Sequence, residues 1–98
     1  MLAAFSITPL GTGDSVSASV SEAVRLVRES GLPNETNAMF TNVEGEWDEV
    51  MSVVKRAVDV VAASSQRVSL VLKADIRAGQ TEMLTEKVDR VERLLEGP

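Results

Sequence analysis

The chain has 98 residues, 44% of them hydrophobic and 26% charged, with a formal charge of −5 and neither His nor Cys. That length supports one core, and the balance is that of a folded domain rather than a disordered segment. No basic run exceeds Lys55-Arg56, so nucleic-acid binding lacks its electrostatic driving force. Without Cys or His there is no disulfide or thiolate chemistry, and the commonest general base and metal ligand are missing.

The amino-terminal stretch Met1-Leu2-Ala3-Ala4-Phe5 has no basic lead-in and is short, which argues against a secretory signal or a membrane span and makes a cytoplasmic location the default expectation. Residues 2–8 alternate, with Ala3, Phe5 and Ile7 on one side and Leu2, Ala4, Ser6 and Thr8 on the other, which predicts a first strand ending at Pro9. Gly11-Thr12-Gly13 follows without the lysine or spacing of a phosphate loop and reads as a turn. Ser15, Ser17 and Ser19 are each candidate caps of a helix that carries Val16, Val20, Ala23, Val24 and Val27 on one stripe and closes at Gly31.

A weak strand over 35–38 and a better one over 41–46 predict a hairpin around Met39-Phe40. The row Asn42, Glu44, Glu46 faces away from the helices. A carboxylate in mid-strand is poor strand chemistry, so Glu44 faces either water or something that attracts negative charge. Trp47, Val50, Met51, Val54, Val58 and Val61 then give a helix over 47–63, anchored by Trp47 in its first turn. Residues 67–76 alternate most clearly, with Val68, Leu70, Leu72 and Ala74 inward and Leu70 fully buried. Thr81 caps a last helix carrying Leu84, Val88, Val91 and Leu95, with a solvated charged face.

The order β-α-β-β-α-β plus a terminal helix predicts an α+β, ferredoxin-like fold: a split βαβ, four-stranded antiparallel sheet with two helices on one face, in one domain over residues 1–98. The other face would carry Leu2, Ala4, Ser6, Thr8, Asn42, Glu44, Ser69, Val71 and Lys73. It is small and partly apolar, and so suited to cover by another subunit.

Three stretches carry a resemblance: Phe5-Ser6-Ile7-Thr8-Pro9-Leu10-Gly11-Thr12-Gly13, then Met39-x-Thr41-x-x-Glu44-Gly45, then Arg67-Val68 with Lys73, Arg77 and Met83-x-x-x-Lys87-Val88. Together they resemble the small thiamine-binding (YkoF-like) family. They differ from it in the hairpin, where Ala38 and Phe40 stand in place of Pro and Gly. The resemblance implies a ferredoxin-like fold, homodimers and homotetramers assembled through the sheets, and thiamine or its pyrimidine moiety bound near a subunit interface. No other cofactor, no metal, no nucleic acid and no membrane partner is expected.

Thiamine combines a thiazolium cation with an aminopyrimidine that has donor and acceptor edges, which suits one carboxylate with several hydroxyl and amide groups. Glu44 is the candidate carboxylate, Ser6, Thr8, Thr12, Asn37 and Thr41 are the candidate polar partners, and Met39, with Phe40 beside it, is a candidate ring flank, the alternative for that hairpin-tip pair being interface packing. Two other readings are a ligand-free regulatory or assembly domain and a small enzyme. The enzyme would have to run all proton transfer through Glu44 and Lys73.

Overall fold

The structure is a computed structural model and describes residues 1–11, 16–79 and 83–97. Its elements are β1 (Leu2–Leu10), α1 (Val16–Arg28), β2 (Asn34–Thr36), β3 (Thr41–Glu44), α2 (Trp47–Ala62), β4 (Arg67–Asp75) and α3 (Met83–Glu96). The strands form one antiparallel sheet in the order β2-β3-β1-β4. This is the ferredoxin-like arrangement, with the two strands of each βαβ unit separated by one strand of the other unit.

Boundaries move where local chemistry competes with the alternation. β1 runs through Pro9 because β3 pairs only with Leu2–Phe5, while β4 pairs with all nine residues. Beyond Phe5 one edge of β1 is unpaired, which is where a strand tolerates a missing N–H. β2 stops at Thr36 because Asn37 begins the turn, and β3 stops at Glu44 because Glu46 becomes the N-cap of α2, its N–H donated to Glu49 Oε1 at 3.0 Å. Gly45 lies between them, and a Cβ there would meet Leu32 Cδ2 at 3.2 Å. The expected caps Ser15 and Thr81 lie outside the described residues.

The pleat places Ala3, Phe5, Val43 and Leu72 under the helices, as the alternation predicts. The core joins them to Ala23 and Val27 of α1 and to Val50, Val53, Val54, Ala57 and Val61 of α2. Because α2 packs on α1 as well as on the sheet, its buried stripe includes Val53 and Ala57, while Trp47 is 54% exposed and stands outside the core.

The second departure is Leu70, which is 42% exposed rather than buried. It does lie on the helix side, paired with Ile7. However, β4 is an edge strand, and this part of the β1–β4 ribbon runs past the end of β3. Ser69 and Val71 are also exposed, so the sheet is not reversed.

Val54→Ala removes two methyl groups from a closed site and should cost about 2 kcal/mol in urea unfolding. Leu70→Ala should cost less than Val54→Ala despite the larger truncation. The opposite ranking would mean that the β4 edge is covered.

Candidate functional site

The core is built almost entirely from Val and Ala, and that leaves room. Between α1, β1 and the β2–β3 turn lies a cleft of about 170 Å³. Phe5 and Ile7 form its floor, Val20, Val24 and Val27 one wall, and Met39 and Phe40 the opposite rim. Three-residue β2 is too short, and the α1 side chains too small, to close it. Among the described residues lining it none is charged.

Its polar groups come from the hairpin. Thr36 and Thr41 are directly paired across β2 and β3, and their Oγ1 atoms lie 3.3 Å apart, close enough for one hydroxyl to donate to the other. Thr41 is buried and Thr36 is exposed. Asn37 shapes the turn: its main-chain N–H donates to Phe40 O at 2.9 Å, and its Oδ1 accepts the N–H groups of Met39 and Phe40, each at 2.9 Å. This Asx-type closure needs neither Pro nor Gly in the turn, which is how Ala38 and Phe40 are accommodated. It holds Met39, 74% exposed, at the rim.

The cleft brings together Ser6, Asn37, Met39 and Thr41 of the expected site. Ser6 pairs with Val71 on the other face, so it offers the cleft main chain rather than its hydroxyl. Thr8 is exposed on that same outer row and does not line the cleft, and Thr12 lies outside the described residues. Phe40 lines the cleft beside Met39, while Thr36, Phe5 and the α1 valines line it without having been expected there. In the sequence the valines and Phe5 look like ordinary core. Only the pairing of Thr36 opposite Thr41 could have singled Thr36 out.

Glu44 is not at the cleft. It sits on the outer row opposite Leu2 and is buried to 6% exposure. Its Oε2 accepts the N–H of Met83 at 2.7 Å and its Oε1 the N–H of Leu84 at 3.2 Å. The carboxylate therefore caps α3 from another element, satisfying two N–H groups that a helix start leaves open and sitting at the positive end of the helix dipole. Met83, 2% exposed, is buried beside it. One turn on, Lys87 bonds Asp75 of β4, and that ammonium group holds the Asp75 carboxyl below its ordinary range. This second tether is therefore present above the ordinary carboxylate pKa and lost as pH falls through the lowered value. Lys73 lies on the same outer face, two residues from Asp75 on β4. No group of three potential metal ligands occurs among the described residues, and no described helix is long and apolar enough to cross a membrane.

Glu44→Gln keeps one acceptor but turns an NH2 group toward the second N–H. With charge-assisted bonds lost, stability should fall by about 1.5–3 kcal/mol. Amide exchange should accelerate at Met83 and Leu84 but not along β1. Unchanged exchange at those two amides would contradict the capping role.

The chain matches the family described as thiamine-binding protein over residues 3–92. A UPF0045 protein of Mycobacterium tuberculosis is 58% identical over 99 residues, covering 100% of this chain and 97% of its own. The crystal structure of a Methanocaldococcus jannaschii protein, 36% identical, superposes with a TM-score of 0.83 over 93% of this chain and 94% of that one. A Thermotoga maritima protein, whose name suggests a part in thiamine biosynthesis or salvage, has the same fold, with a TM-score of 0.79 at 24% identity over 92% of this chain and 96% of its own. With a family match across nearly its whole length and a relative so similar from end to end, this chain belongs to the thiamine-binding protein family.

Proposed function

We propose that the protein is a non-catalytic binder of thiamine or a related hydroxymethylpyrimidine, and that the aminopyrimidine ring enters the cleft between α1, β1 and the β2–β3 turn. The observation that carries this reading is the match between cleft and ring. A volume of about 170 Å³ is close to the ~150 Å³ cavity that admits benzene, and below the ~300–1,000 Å³ of pockets that enclose drug-sized molecules. One six-membered ring fits, and the thiazolium of thiamine stays outside. The uncharged lining supports the same division, because a cation would find no counter-charge there. Phe5, Phe40 and Met39 supply apolar contact, and Asn37, Thr36 and Thr41 supply polar contact. Proton transfer between Glu44 and Lys73 has no support, since both Glu44 oxygens already serve α3.

Calorimetry with thiamine, its phosphates and hydroxymethylpyrimidine tests the reading. All pyrimidine-bearing compounds should bind, and the free thiazole should not compete. Thr41→Val should weaken binding by about 0.5–1.5 kcal/mol, the value of a neutral hydrogen bond, while Glu44→Gln should leave it unchanged. Absence of binding by every pyrimidine compound would overturn it.

The protein's assembly belongs to the same proposal. After its capped first turn α3 projects from the body: the chain measures 52 × 27 × 20 Å with a radius of gyration of 15.1 Å, against about 13 Å for a compact domain of this size. Val88, Val91, Leu94 and Leu95 are 53–75% exposed, as is Val71 on the outer sheet face. β4 offers a nine-residue open edge, the kind of edge that attracts a further strand. A second copy covering these surfaces gives a homodimer, and two such dimers a homotetramer. Val91→Glu should shift sedimentation toward monomer without lowering helix content, and a wild-type monomer at micromolar concentration would refute the assembly.

A further inference from the structure

We infer that Asn37 gives the cleft a hydrogen-bond donor of fixed polarity, so that the ligand must present an acceptor, a neutral ring nitrogen or an oxygen, at that point of the rim. This rests on the cleft being the binding site, as proposed above, and adds the chemical sense in which the ligand's edge is read.

Most side-chain amides can turn over to suit a partner. Asn37 cannot, because the N–H groups of Met39 and Phe40 both point at one of its terminal atoms, each at 2.9 Å. Only oxygen can accept them. Turning the amide over would set an NH2 group against two N–H donors and open the turn. The Nδ2 group is therefore the end left for a ligand, and it can only donate. Asn37 is exposed, so this NH2 is open to hydration in the free protein, and a ligand gains from it only by offering an acceptor in place of water.

The other polar feature of the cleft is adaptable. Thr36 and Thr41 spend one hydroxyl hydrogen between them and retain the second, along with free lone pairs, so the pair can donate or accept. Discrimination thus falls to Asn37. A neutral aminopyrimidine meets both demands, with a ring nitrogen toward Asn37 and the amino group toward the threonines. The same ring protonated on the nitrogen facing Asn37 sets N–H against N–H, and both donors lose the hydrogen bonds they otherwise make to water.

Two substitutions test this with hydroxymethyl-aminopyrimidine as the probe. Asn37→Ser keeps a short oxygen able to accept from the turn but has no NH2, and should weaken binding about three- to tenfold at neutral pH. Asn37→Asp keeps the turn-closing oxygen and replaces the donor with a carboxylate oxygen. It should lose about tenfold or more at neutral pH, with circular dichroism, melting and sedimentation unchanged.

The decisive readout is the pH trend. Wild-type affinity should fall as acidification protonates the ring. The Asp variant's affinity should rise over the same range, since a protonated ring nitrogen then faces a carboxylate. Parallel trends, or variants that bind as wild type does, would overturn the inference while leaving the cleft as the binding site. If wild-type protein fails to bind the probe at any pH, the site assignment falls and this inference falls with it.

Discussion

The pleat of β1 is the constraint on which the rest depends. β1 and β3 are the two inner strands, and β1, paired along all nine of its residues with β4 and over Leu2–Phe5 with β3, carries its alternation to both through the register Ala3–Val43, Phe5–Thr41 and Phe5–Leu72. One row, Ala3, Phe5 and Ile7, faces α1 and α2 and packs into the core. The other, Leu2, Ala4, Ser6 and Thr8, faces away. A register slip of one residue would exchange the two sets, moving Phe5 out of the cleft floor and Ser6 into the core. Core, cleft and open face are thus three consequences of one geometric fact.

The cleft follows from side-chain size. A layer made from Val and Ala, with two phenylalanines in the whole chain, closes well where α2 lies over β1 and incompletely where α1 meets the short β2. Packing normally fills such gaps, because lost contacts cost dispersion energy. Here the turn residues 37–40 border the gap without filling it, and the Asn37 side chain spends its oxygen on closing that turn. The local stability of the turn and the polarity it presents at the cleft therefore share one amide group.

Glu44 illustrates how far a residue's role can lie from the chemistry its type suggests. A lone strand carboxylate near hydroxyl-rich segments invites assignment to a cationic ligand. Its partners are instead two main-chain N–H groups 39 and 40 residues away. That arrangement resolves the cost of burying the charge and sets the direction in which α3 leaves the sheet. The apolar residues Val88, Val91, Leu94 and Leu95 further along α3 are left exposed.

By itself the sequence determined the element order, the antiparallel sheet, the two faces of β1 and the polar hairpin with Asn37 and Thr41, because period-2 alternation, caps and turn residues act over a few neighbours and can be read in place. The exposure of Leu70 and Trp47, the membership of Thr36 and the α1 valines in the cleft, and the capping of α3 by Glu44 were decided only by tertiary structure. Each depends on which distant element arrives at a given face: an edge strand reaching past the helices, a helix whose buried stripe turns toward its neighbour, a helix start meeting a carboxylate. A residue's pattern gives its side of the sheet, but not what stands opposite it. That is a property of the packed chain, in which groups far apart in sequence meet within hydrogen-bond distance.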